Sequence, residues 1–214
     1  MYAAVGMAAL AACGPLRLGA AAIYGGQRVT QSTLTSEVSA VTANYHADQA
    51  KGLTPQYSEA QIPNQVLSWI LRFATMRRVA ASHGVTVTPA QAQSIGAALG
   101  AQARQNKLTL DQYLAQGAVP PDLLVSYELY AYAENRLLSQ LGDQSTQAGQ
   151  TASQAKLTTL FCQAARSLDI SVNPQYGAFS YKNFQVEAIA NPLAAPVGGS
   201  SLPAASSADF KPAC

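Results

Sequence analysis

Apolar residues recur along most of this chain at helical spacing, and the interruptions fall at glycine, proline and capping residues. The exception comes first. Ala20–Tyr24 and Gln27–Val29 flank Gly25-Gly26, which predicts two short strands around a tight turn. Thr30 then caps a helix carrying Leu34, Val38 and Val41, and Lys51-Gly-Leu-Thr-Pro55 breaks it. A second helix, from about Ile62 to His83, is apolar on two sides. One stripe holds Ile62, Val66, Trp69, Ile70, Phe73, Met76 and Ala80, the other Leu67, Leu71 and Ala74. Such a helix must be surrounded, by its own domain or partly by a ligand. Thr88-Pro89-Ala90-Gln91 opens a third helix with a capping threonine, a first-turn proline and a reciprocal glutamine. Thr109-Leu-Asp-Gln112 repeats that box for a short fourth helix ending at Gly117. Pro120-Pro121-Asp122 starts a fifth, with Leu123, Tyr127, Tyr130, Glu134, Leu137 and Leu141 along one face and Gly142 as its stop. Residues 143–150 read as a polar link, followed by a sixth helix from about Thr151 to Leu168. Asn173–Gly177 is a turn, and Ala178–Ile189 holds one further strand. The predicted fold class is therefore mainly α: about six helices, a small N-terminal β-hairpin and a C-terminal strand.

The two ends differ from this body. Met1–Ala12 is an uncharged apolar run, too short to cross a bilayer as a helix but of the size of a signal-peptide apolar region. It closes in Leu10-Ala11-Ala12-Cys13, which resembles a bacterial lipobox: small side chains let the peptidase grip the chain, and the Cys13 thiolate takes the diacylglycerol. Each buried acyl methylene then contributes roughly 0.8 kcal/mol to anchoring. No Lys or Arg precedes the run, which points to a natural start upstream of Met1. The organisation expected is a signal peptide over 1–12, a lipid-anchored linker over 13–20, a helical domain over 21–190 and a Pro/Gly/Ser/Ala-rich tail over 191–214. The protein is thereby expected on the extracytoplasmic face of the membrane, where disulfides persist. With Cys13 acylated, Cys162 and Cys214 remain. Either they are bonded, or Cys162 is a buried inert thiol and Cys214 is free.

Charge narrows the function. Charged residues make up only 11% of the chain and the net charge is +2, with Lys and Arg scattered, so nucleic acid is not an expected partner. The densest basic group, Arg72, Arg77 and Arg78, reads as a solvated helix face. The histidines, His46 and His83, lie far apart in the sequence, and no HExxH, GxSxG, CxxC or phosphate-loop pattern occurs. No enzyme activity, metal or cofactor is expected.

The order of elements, with Gly25-Gly26-Gln27-Arg28-Val29-Thr30 leading into an amphipathic helix, resembles the SurA-type N-terminal chaperone domain of extracytoplasmic folding factors. The same holds for a long helix ending in Ala80-Ala-Ser-His-Gly-Val-Thr-Val-Thr-Pro89 and then Leu108-Thr-Leu-Asp-Gln-Tyr-Leu-Ala-Gln-Gly117. The likeness covers roughly residues 21–141. Many such proteins insert a parvulin isomerase domain before the closing helix; the junction at 143–150 is too short for one, and His46 in a helical segment and His83 at a helix end cannot assemble its histidine pair. The resemblance implies holding without catalysis: transient binding of unfolded exported polypeptides in an apolar cradle. Trp69, Phe73, Tyr127, Tyr130 and Tyr132 are candidate client-binding residues, with core packing as the competing role. The rival function is an envelope scaffold that docks one folded partner. Intact-mass analysis of the membrane fraction is expected to find a chain beginning at Cys13 with acyl mass; a chain retaining Met1 without it would rule out the anchor.

Overall fold

The computed structural model describes residues 19–189 and Cys214. Cys13, the leader, most of the linker and the tail lie outside the described residues.

The chain is mainly helical. Strands β1 (Ala20–Tyr24) and β2 (Gln27–Thr30) pair antiparallel around Gly25 and Gly26, whose φ angles of 53° and 78° suit glycine. At Gly25 a Cβ would also come within 2.9 Å of Leu168 Cδ2, so the turn packs directly against the end of the last helix. Sequence patterning gave this sheet two strands, but it has a third. β3 (Ser171–Val172) lines the other edge of β1 in the order β2-β1-β3, too short to show a period of its own. Asn173 fixes it there: its backbone N–H donates to Ala21 O at 2.9 Å and its side-chain amide to Ala20 O at 3.1 Å.

Six helices follow one another: α1 (Gln31–Ala50), α2 (Ile62–Ser82), α3 (Pro89–Gln105), α4 (Leu110–Gln116), α5 (Leu124–Leu141) and α6 (Gln147–Ser167). Thr30, Thr88, Thr109 and Thr146 cap α1, α3, α4 and α6 through their hydroxyls, and Thr88 and Thr109 form reciprocal boxes with Gln91 and Gln112. Two predicted boundaries move. The start expected at Pro120–Asp122 is a single 3-10 turn over Pro121–Leu123, which delays α5 to Leu124. The polar link is shorter than 143–150, because Thr146 Oγ1 accepts the Gly149 N–H at 3.1 Å and opens α6 at Gln147 rather than near Thr151. The single strand expected within 178–189 is a hairpin, β4 (Ala178–Ser180) with β5 (Gln185–Glu187). Its turn ends in Phe184 at φ 58°, a left-handed position that no glycine announces.

Helix α2 is the axle. From Ile62 to Met76 every residue is buried or half-buried. Its first half joins a core of Leu34 and Val41 from α1, Ala21 and Val29 from the sheet, and Phe179 and Val186 from the β4–β5 hairpin. Its second half joins another of Tyr130 and Leu137 from α5 with Leu157 and Phe161 from α6. The two predicted stripes do not divide between these cores: Ile62 and Val66 of the first stripe share a core with Leu67 and Leu71 of the second, while Phe73, Met76 and Ala80 join the other. Ser68, buried between them, donates to Asn64 O at 2.6 Å and accepts the Val186 N–H at 2.7 Å, so the helix pairs a backbone donor of the hairpin.

Cys162 of α6 is bonded to Cys214, with Cα atoms 5.7 Å apart and a sequence separation of 52. A closed loop of that length restricts the unfolded chain by about 4 kcal/mol on the chain-entropy model. Replacing Cys214→Ser is therefore expected to lower unfolding free energy by about that amount in urea without reductant. Reductant should bring the unaltered protein to the same midpoint; equal midpoints for the variant and the oxidised protein would refute the linkage.

Candidate functional site

Residues 69 and 73 of α2 lie one helical turn apart, as nearly do 127 and 130 of α5, and the packing of the two helices brings all four rings together. Trp69 stacks on Phe73 with centroids 5.5 Å apart and meets Tyr127 edge-on at 5.4 Å. Tyr130 stands edge-on to Trp69 at 6.0 Å and to Phe73 at 5.9 Å. Phe161 of α6 and Phe184 of the hairpin turn continue the belt, 4.7 Å apart. Four of the five candidate client-binding residues are thus one cluster, but they divide by exposure. Phe73 and Tyr130 are 4% and 8% exposed and belong to the core, while Trp69 and Tyr127 are half-buried. Trp69 is fixed further by its indole N–H, which donates to Gly117 O at 2.7 Å. Tyr132 is separate. Two residues turn the helix by about 200°, so Tyr132 borders a polar recess with Gln91 and Arg136 instead.

Arg72 does not share the solvated face expected for it. Its guanidinium lies 4.7 Å from the centre of the Trp69 ring and 5.9 Å from that of Tyr130, and its Nε is buried without a hydrogen-bond partner. Only Arg77 and Arg78 of that trio are exposed.

Beside the belt runs a groove of about 270 Å³, and its walls are mostly apolar. Phe73, Met76 and Ala80 of α2 face Leu129, Tyr130 and Ala133 of α5 across it. The third wall comes from the connection between α2 and α3. Gly84, at φ 65°, ends α2 in a Schellman arrangement: the Val85 N–H donates to Ala80 O at 2.9 Å and the Gly84 N–H to Ala81 O at 3.4 Å. That turn folds Val85 back against the helix, with Val87 following. The sequence reading missed Val85, Val87 and Leu129 as wall residues, although an apolar pair between Gly84 and the capping Thr88 was a usable signal. It also missed the inward role of Arg72, which no local pattern reports.

Burial governs the ionisable groups nearby. Tyr130 is pushed up to about 12, first by burial and then by Glu134. Glu134 is raised by burial, with Arg72 opposing. Glu128 projects from another face of α5 against α3, where a Cβ on Gly96 would fall 2.0 Å from its Oε1, so that glycine makes room for the carboxyl. Burial raises Glu128 as well.

No family model, characterised protein or solved structure matches the chain. Among the described residues no helix is long and apolar enough to cross a membrane, and no group of three or more His, Cys, Asp or Glu is placed to hold a metal ion.

A carboxyl whose folded pKa lies above its unfolded value contributes most to stability while protonated, and that contribution is lost as pH rises through the folded value. Glu128→Gln is therefore expected to raise the melting temperature at neutral pH. The gain should shrink as pH falls through the raised folded value and be essentially gone below the ordinary carboxyl value of about 4.5. Thermal unfolding across that range checks it; a variant no more stable than the parent at neutral pH would contradict the assignment.

Proposed function

We propose that this protein is a membrane-anchored, extracytoplasmic holding protein that binds apolar segments of non-native exported polypeptides without catalysing their isomerisation. The observation that carries the reading is the open apolar groove between α2 and α5, with a polarizable methionine, Met76, in its wall. Apolar walls accept many side chains by area alone, and the few polar groups in them, such as Ser126 and Thr86, impose little selection. The aromatic belt behind the groove keeps its walls in place, and the half-buried edges of Trp69 and Tyr127 extend the apolar surface beside it.

Support from the sequence is independent of the groove. The run Leu10-Ala11-Ala12-Cys13 resembles a lipobox, which supports an anchor beside the point where exported chains emerge unfolded, and the element order resembles that of the SurA-type chaperone domain. The α5–α6 connection, residues 142–146, leaves no room for an inserted isomerase domain.

Ala81 is exposed at the groove's rim, so Ala81→Trp is expected to obstruct it without disturbing the core. The variant should suppress aggregation of an unfolded client several-fold less well than the parent at equal concentration. In-cell photo-crosslinking from position 129 should then give many bands. Undiminished suppression by the variant would remove the groove from the function, and one discrete band would favour the scaffold that docks a single folded partner.

A further inference from the structure

The groove has a neighbour of opposite character. A second recess, of about 290 Å³, is bounded by the hairpin tip at Tyr24, Gly25 and Gln27, by Leu168, and by Ala74, Arg77, Arg78 and Ala81 of α2. Arg77 and Ala81 border both hollows, so the divide between them is one methyl group and one mobile guanidinium stem. No described carboxylate lines either hollow, and neither Arg77 nor Arg78 forms an ion pair with a described residue. Two adjacent exposed arginines without counter-charge among the described residues thus stand at the mouth of an apolar trough.

We propose that the trough and the basic recess together form a binding site for a long-chain fatty carboxylate, its alkyl chain between α2 and α5 and its headgroup on Arg77 and Arg78. Charge complementarity selects the ligand. A guanidinium pairs with a carboxylate through two parallel hydrogen bonds, which an alcohol cannot match and a cation opposes. The chain portion matches walls made by Met76, Ala80, Val85, Leu129 and Ala133, and each methylene taken from water contributes about 0.8 kcal/mol. The amphiphile needs both halves, and the fold supplies them on successive faces of one helix: positions 76 and 80 on the trough side, 74 and 78 on the basic side, 77 and 81 between. The inference uses the groove's walls but not the client reading, and stands even if no polypeptide enters.

Calorimetric titration of the full chain with dodecanoate, dodecanol and dodecyltrimethylammonium, each below its aggregation threshold, tests it. Dodecanoate is expected to bind about tenfold more tightly than dodecanol, and the cation more weakly than either. The comparison is made on the unaltered protein and so does not depend on any variant folding. Arg77→Gln with Arg78→Gln, both at exposed positions, should bring dodecanoate to the affinity of dodecanol, and Ala81→Trp should weaken both. The methyl resonance of Met76, the methionine that lies beyond the expected leader, locates the ligand because Met76 borders the trough. A shift confined to Met76 is expected. Equal affinity for dodecanoate and dodecanol, no binding of dodecanoate, or binding that leaves the Met76 methyl unmoved would each overturn the proposal.

Discussion

Helix α2 has no face to spare for water along its first four turns, and the architecture follows from satisfying it. A helix apolar on two sides demands cover from more than one direction, and elements far apart in sequence supply it: α1, the N-terminal sheet and the C-terminal hairpin along its first half, α5 and α6 along its second. Burying Leu67 and Leu71 completely is worth roughly 1.5–3 kcal/mol each. That gain is available only if all these elements arrive. The polar cost of enclosing so much backbone is met locally. Ser68 lends its hydroxyl to the hairpin and Thr75 donates to Leu71 O at 2.8 Å, so the helix meets its neighbours without orphaned donors at those positions.

The same helix creates the site by ceasing to be enclosed. Beyond Met76 its outward residues are Arg77, Arg78, Ala81 and Ser82, while Val79 and Ala80 remain buried. Between it and α5 lies the groove, and the returning segment at Val85–Val87 closes one side without filling it. The aromatic belt sits where enclosure ends. Phe73 and Tyr130 face the core and also border the groove, so the wall a ligand would meet is the outer surface of a packed cluster. Rigidity of that kind lowers the entropy lost on binding.

How much of this was legible in the sequence depended on whether a signal was local. The capping threonines at 30, 88 and 109 announced their helices because cap and capped groups lie within four residues. Thr146 escaped notice because the first turn of α6, Gln147–Gln150, is polar and reads as linker until the helix has begun. The β4–β5 turn was hidden by placing phenylalanine rather than glycine in the left-handed position. Within the site, the residue types of the aromatic cluster were visible on α2 and α5, but exposure was not. Burial of Phe73 and Tyr130 is decided by α6 and by Phe161, far along the chain, and capture of Arg72 by rings contributed from two helices. Tyr132 was included by residue type, and helical phase alone would have set it apart.

The sheet order β2-β1-β3 also orders events in time. β1 lies in the middle of its sheet, yet one of its two partners is residues 171–172, almost at the far end of the domain. A chain made from its N-terminus exposes β1 with one edge open until those residues emerge. Throughout that interval Ala22 and Ile23 offer unpaired backbone to any extended segment nearby. The hairpin that seals α2, with Val186 on Ser68, comes later still. Contacts of such long sequence separation are intrinsically slow to form, and they are the ones that close this edge. A chain not yet carrying residues 171–172 thus has the kind of open sheet edge that makes unfinished chains prone to pair with others.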